Sequence, residues 1–117
     1  MTFEFSIGGY FGTSYHLELI GSTLKCCESV GYPEISREEI IGVEGNPEWH
    51  EVLNFLSTRK WKKEYMDDSL DGTQWQLQIS GDKMNIDSHG SNAYPPGFRK
   101  FLRLLNKVVS EANMSVY

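Results

Sequence analysis

The chain has 117 residues, which is the size of one domain and is long enough to bury a core without disulfides or a metal. Its 39% apolar, 23% charged and 13% aromatic residues exclude a disordered chain, and no apolar run approaches the roughly 18 residues that a membrane span needs. The formal net charge of −5 argues against the basic footprint of broad nucleic-acid binding.

The N-terminus and the cysteines predict a reducing compartment. Residues 1–6 lack the basic start and the apolar stretch of a signal peptide, so we expect a cytoplasmic protein. Cys26 and Cys27 are adjacent, and a bond between strand neighbours would need a strained turn. Because neither a CxxC pair nor a His/Cys cluster with zinc-site spacing occurs, we expect no structural metal and no cofactor.

The first thirty residues predict three strands. Residues 3–7 and 14–20 alternate between apolar and polar side chains, and a third strand begins at Thr23 and runs to about Ser29. Gly21-Ser22 suits a two-residue hairpin turn between the second and third strands, with glycine at the first central position.

That turn fixes a register by counting outward. The predicted cross-strand pairs are Leu19–Leu24, Glu18–Lys25, Leu17–Cys26 and His16–Cys27. Apolar pairs alternate with polar ones, so one face of the hairpin is apolar and the other is polar. We therefore expect Cys26 to be buried and Cys27 to be exposed.

Two helices are predicted. Asn46-Pro47-Glu48 provides a capping side chain, a proline at the first helical position and a carboxylate at the positive end of the dipole. Apolar residues at helical spacing extend this helix to about Thr58, and a last helix follows over residues 98–112.

Two segments have weaker patterns. Residues 30–46 are rich in glutamate and glycine, which predicts a loop with at most one short helical turn. Trp61 and Tyr65 fit either a fourth short strand or a terminal turn, and their spacing does not decide between these.

The clearest strand is the one that contains Trp75. Its apolar residues alternate with three glutamines, and Gly81-Asp82 predicts another two-residue hairpin turn. Counting from that turn gives the pairs Ile79–Met84, Gln78–Asn85, Leu77–Ile86, Gln76–Asp87, Trp75–Ser88 and Gln74–His89.

The order of elements is three strands, a helix, two strands and a helix. Hairpins followed by helices predict a two-layer α+β domain over residues 1–117. We expect a mostly antiparallel sheet of about five strands with both helices on one face.

Two short motifs resemble a known family. They are LDGTQWQLQI at residues 70–79 and GSNAYPPGF at residues 90–98. A family of small uncharacterised bacterial domains is similar in its aspartate-glycine-threonine/serine-x-tryptophan motif and in a glycine-x-asparagine-alanine-tyrosine-proline loop. The resemblance implies a bacterial cytosolic origin and transfers no activity and no catalytic residue.

The register offers one pairing of a nucleophile with a base, His16 beside Cys27. A catalytic cysteine needs a lowered pKa and a cleft, whereas these residues lie mid-strand on an open face with no third residue to orient the imidazole. An ordinary surface pair is the favoured interpretation, and we expect no catalytic residue.

A polar pocket at one end of the sheet is a second candidate. Antiparallel hairpins could bring Tyr10, Asp71, His89, Asn92 and Tyr94 together, as a site for a small ligand or for hydrolysis. The same residue types also satisfy backbone groups in turns, and that interpretation is favoured.

The polar sheet face and the acidic residues form the third candidate. Residues 28–72 carry more acidic than basic side chains, and such a surface steers a basic partner. The expected protein-binding residues are Glu18, Glu38, Glu39, Gln74, Gln76, Gln78, Asn85 and Asp87.

We therefore expect a non-enzymatic module that binds another protein, with no nucleic-acid or membrane partner. Immunity or inhibitor proteins of bacterial conflict systems are of this kind. The alternative is a small-molecule-binding or hydrolytic domain built around Asp71, His89 and Asn92.

Overall fold

The computed structural model describes residues 1–9, 12–30, 34–67, 72–81 and 83–117. The elements in those ranges are β1 (Thr2–Gly9), β2 (Thr13–Ile20), β3 (Thr23–Val30), β4 (Arg37–Gly42), α1 (Pro47–Ser57), β5 (Glu64–Met66), β6 (Thr73–Ser80), β7 (Asn85–Ser91) and α2 (Phe98–Val109), with a 3-10 turn at Ser110–Ala112.

All of these strands belong to one sheet with the order β4-β3-β2-β1-β6-β7-β5. Neighbouring strands are antiparallel except β5 and β7, which are parallel. The predicted α+β class and the mostly antiparallel sheet are confirmed, but the expected number of about five strands is wrong, because the described residues form seven.

The two extra strands lie at the edges of the sheet. β4 occupies part of the predicted loop 30–46, and only Ile41 of its two isoleucines is buried while Ile40 is 65% exposed. An edge strand with one buried apolar residue gives almost no alternation to recognise. β5 is three residues long and contains Tyr65, which lies beside Trp75, whereas Trp61 precedes the strand. The short strand is therefore found at Tyr65 but not at Trp61.

The predicted register of the first hairpin is confirmed. His16 pairs with Cys27 and Leu17 with Cys26, and the turn contains Gly21 at a φ of 62°. Glycine has no Cβ to oppose this left-handed conformation, so the turn and the polarity pattern select the same register.

The predicted register of the second hairpin is wrong by two residues. Ile79 pairs with Ile86 instead of Met84, and Ser80 pairs with Asn85. The connection spans residues 81–84, of which Asp82 lies outside the described residues, and the Gly81 N–H donates to the Met84 carbonyl oxygen at 2.8 Å. A shift of two residues keeps every side chain on its predicted face.

Both helices pack on the same face of the sheet, called the inner face. On α1, Trp49 meets Phe3 edge to face with ring centroids 5.0 Å apart, and on α2, Phe101 meets Phe5 in the same way at 5.0 Å. The shortest dimension of the molecule is 20 Å, which corresponds to two layers of about 10 Å each.

The start of α1 is as predicted. The Asn46 side-chain oxygen accepts hydrogen bonds from the backbone N–H groups of Glu48 and Trp49 at 2.9 and 3.1 Å, and Pro47 is the first helical residue. α2 begins at Phe98 after Gly97, whose φ of 82° favours glycine.

We predict that Trp75→Ala lowers the free energy of unfolding by about 3–5 kcal/mol, the cost of removing a large aromatic side chain from a core. Trp75 is 3% exposed, its ring centroid lies 4.8 Å from that of Phe98, and its indole N–H donates to the Ala93 carbonyl oxygen. Urea denaturation measures the loss. The neighbouring Gln76 points away from the helices, so Gln76→Ala should change stability by no more than about 0.5 kcal/mol. Equal losses would mean that both faces of β6 are covered.

Candidate functional site

The candidate site is the face of the sheet opposite the helices, called the outer face. Its central row crosses all described strands through Glu38, Cys27, His16, Ser6, Gln76, His89 and Glu64. The adjacent row contains Ile40, Lys25, Glu18, Glu4, Gln78 and Asp87. Alternate residues of each strand build this surface because successive side chains point to opposite faces.

The outer face is acidic. In these two rows the carboxylates are Glu4, Glu18, Glu38, Glu64 and Asp87, and Lys25 is the single lysine or arginine. The Lys25 ammonium lies 3.8 Å from the Glu38 carboxylate, with both side chains more than a third exposed. Such an exposed pair adds little stability. Because Lys25 offsets the charge of one carboxylate only, the two rows keep a net negative charge.

Seven of the eight predicted protein-binding residues lie on the outer face. They are Glu18, Glu38, Gln74, Gln76, Gln78, Asn85 and Asp87. Glu39 does not, because β4 is a strand and consecutive residues point to opposite faces. Its carboxylate instead accepts a hydrogen bond at 3.1 Å from Arg37, whose guanidinium also donates to the backbone at Ala112 and Asn113.

The prediction that Cys27 is exposed is wrong. Its exposed fraction is 7%, because the larger residues His16 and Glu38 pair with it from the two neighbouring strands. Cys26 is fully buried on the inner face, as predicted. Burial raises the pKa of the Cys26 thiol to about 12, and burial followed by the charge of Glu38 raises the pKa of Cys27.

The hydrogen-bond partner of His16 is Ser6. The Ser6 Oγ lies 2.6 Å from Nδ1 of the imidazole, across the β1–β2 pair. This contact can hold the imidazole ring in one orientation. A hydrogen bond at one ring nitrogen also decides whether the other nitrogen carries a proton or a free lone pair. The thiol of Cys27, with its raised pKa, gives little thiolate for nucleophilic chemistry.

Glu4, His16 and Glu18 form the group of potential metal ligands in the described part of the chain. Their ligand atoms all lie within 4.8 Å of one another. The sequence does not reveal this group, because the Gly21-Ser22 turn gives the register of β2 with β3 but not that of β1 with β2, where Glu4 pairs with Glu18.

The predicted polar pocket is not assembled by its described members. Tyr10 and Asp71 lie outside the described residues. His89 is on the outer face, where its Nε2 is 3.8 Å from the Glu64 carboxylate. Asn92 follows β7, and its side-chain oxygen accepts a hydrogen bond from the Thr73 N–H at 2.9 Å, which is the turn role that the sequence also allowed.

Tyr94 lies on the helix side and stacks against Phe98, with ring centroids 5.0 Å apart. It lines an open groove of about 610 Å³ beside α2, which also contains Arg99 and Arg103 but neither His89 nor Asn92. The structure thus separates Tyr94 from the other described residues of the predicted pocket.

The two motifs at residues 70–79 and 90–98 contact each other. The Trp75 indole N–H donates to the Ala93 carbonyl oxygen at 2.9 Å, and a Cβ on Gly90 would lie 2.5 Å from that indole nitrogen. Together with the bond from Thr73 to Asn92, these contacts join β6 to the segment before α2. The described residues of the two motifs therefore have a structural role at this contact.

Comparison with family models, curated proteins and solved structures finds no match for this chain. The resemblance to small bacterial domains therefore stays a prediction. Neither helix in the described ranges combines the length and the apolar character needed to cross a bilayer.

We predict that neither cysteine of the native protein reacts rapidly with a thiol reagent at pH 8, because the thiolate is the nucleophile and both pKa values are raised. Raising the Cys26 pKa from 9.0 to about 12 lowers its thiolate population about a thousandfold, at tenfold per pKa unit. In the folded protein Cys27 should react before Cys26, and in denaturant both thiols should react rapidly. Mass spectrometry of a labelling time course measures this, with Cys27→Ala as the variant that retains only the slower thiol. One thiol reacting within the mixing time would show that Cys27 is accessible.

Proposed function

We propose that the protein is a non-enzymatic binding module whose outer face recognises a basic surface of another protein. The observation that supports this proposal is the negative charge of that face, whose two rows contain five carboxylates and one lysine, Lys25. Charge complementarity of this kind steers association and selects partners.

The dimensions of the outer face suit a protein partner. Seven strands spaced about 4.8 Å apart make a surface about 29 Å wide, and six residues of strand make it about 20 Å long. The resulting area of about 580 Å² is about three quarters of the 800 Å² that each partner buries in an interface of standard size. An open sheet face of this extent is better matched to a protein than to a small molecule, which binds in a concave pocket.

Two exposed isoleucines give the outer face apolar contact points. Ile20 on β2 and Ile40 on β4 are 51% and 65% exposed, and both point outward beside β3. Apolar anchors surrounded by polar side chains are the usual composition of a protein interface.

The chemistry of this face favours a partner that itself acts on nucleic acid. Such proteins carry the lysines and arginines that contact phosphates, and an acidic face can occupy the same surface. An immunity or inhibitor protein that blocks a toxin of a bacterial conflict system would work in this way.

We predict that Glu38→Lys combined with Asp87→Lys slows association with the basic partner at least about tenfold at 0.1 M salt, because it removes two of the five outer-face carboxylates. The effect should shrink at 1 M salt, where the Debye length falls from about 10 Å to about 3 Å. The partner is identified by comparing proteins captured from the source lysate by the parent protein and by each variant. Surface-binding kinetics with the purified partner then give the rates.

The matched control is Glu51→Lys combined with Glu111→Lys. Both residues are exposed and lie outside the sheet, on α1 and the 3-10 turn, and the change in net charge is the same. The control should keep the association rate of the parent protein. Equal slowing by both double variants would mean that association depends on net charge and not on the outer face. An unchanged association rate for the outer-face variant would mean that this face is not part of the interface.

A further inference from the structure

We infer that Glu4, His16 and Glu18 form a binding site for a divalent transition-metal cation, with Zn²⁺ as the best match. Two carboxylates and one imidazole place their ligand atoms within 4.8 Å of one another on the outer face. Glu4 and Glu18 also belong to the acidic outer face, but the inference goes beyond the proposed recognition of a protein, because it depends on the geometry of three side chains rather than on the charge of the whole face.

The backbone brings these residues together. Glu4 and Glu18 are directly opposite each other on β1 and β2, where Cβ atoms lie about 4.5–5.5 Å apart. His16 precedes Glu18 by two residues and therefore points to the same face. β1 and β2 are interior strands, with β6 and β3 on either side, so the ligands stand on a rigid part of the sheet.

The imidazole has a hydrogen-bond partner on one of its two ring nitrogens. Ser6 Oγ lies 2.6 Å from Nδ1 of His16, and Ser6 belongs to β1 but not to the ligand group. When the Nδ1–H donates to Ser6, Nε2 keeps its lone pair and can bind a cation. Histidines that bind metals commonly donate their second ring N–H to a partner in this way.

The local charge also favours a cation. Like charges directly opposite on neighbouring strands are destabilising, and Glu4 faces Glu18. Among the described residues no lysine or arginine forms an ion pair with either carboxylate, since Lys25, which is opposite Glu18, lies 3.8 Å from Glu38 instead. A divalent cation between Glu4 and Glu18 would replace their repulsion by two attractive contacts.

The donor set selects the class of ion. Calcium and magnesium prefer oxygen ligands throughout, whereas an imidazole suits zinc, copper, iron and nickel. Three protein ligands leave one position of a tetrahedral zinc site open, and here it would face solvent above the sheet. Glu4 is exposed, so its side chain can move to bring the ligand atoms to the spacing that tetrahedral zinc requires.

The test is isothermal titration of the full chain with zinc chloride, and with calcium chloride for comparison. We expect one Zn²⁺ per chain and no comparable calcium binding. His16→Ala and the double variant Glu4→Gln with Glu18→Gln should abolish the zinc isotherm. Ser6→Ala, which removes only the partner of Nδ1, should weaken zinc binding by about ten- to hundredfold.

The matched control is His89→Ala combined with Glu64→Gln, which removes the other histidine–carboxylate pair of the same face. This variant should keep the parent isotherm. Circular dichroism checks that each variant is folded, and the Glu→Gln changes keep the side-chain shape. Zinc binding that survives the Glu4/Glu18 double variant, zinc binding lost in the His89/Glu64 control, or no zinc binding by the parent chain would each overturn the assignment.

Discussion

Two helices can cover only one face of a sheet as wide as this one, and that constraint decides where each strand side chain goes. The inner face is apolar because α1 and α2 pack on it through contacts such as Phe5 with Phe101. The outer face is exposed to water, so the alternate strand residues that point to it are mostly polar or charged. Chemistry that needs accessible side chains on a rigid support is therefore concentrated on the outer face.

Much of this arrangement could be predicted from the sequence wherever a turn and a polarity pattern agreed. Gly21-Ser22 and the alternation around it gave the β2–β3 register correctly. Gly81-Asp82 looked equivalent, but the β6–β7 connection takes four residues, and no local pattern distinguishes the two lengths when the side-chain faces are the same. β4 escaped prediction because its pairing with β3, rather than its own apolar content, makes it a strand.

The candidate site was less predictable because it depends on contacts between distant segments. The burial of Cys27 follows from His16 on one side and Glu38 on the other, and the second neighbour belongs to a strand that the sequence did not indicate. The proximity of Glu4 to Glu18 likewise needs the β1–β2 register, and the glycine-rich sequence of residues 8–12 offers no two-residue turn from which to count that register. Polar character alone identified the glutamines of β6, because every alternate residue there is polar.

The three histidines of the chain give the most direct test that the outer face is the recognition surface. His16 and His89 lie on that face, whereas His50 is exposed on α1 in the other layer. The measurement is the NMR spectrum of the imidazole C–H groups, assigned by single substitutions, before and after addition of the basic partner. Recognition through the outer face predicts that the signals of His16 and His89 shift or broaden while those of His50 stay in place. A complex in which only His50 responds would contradict it.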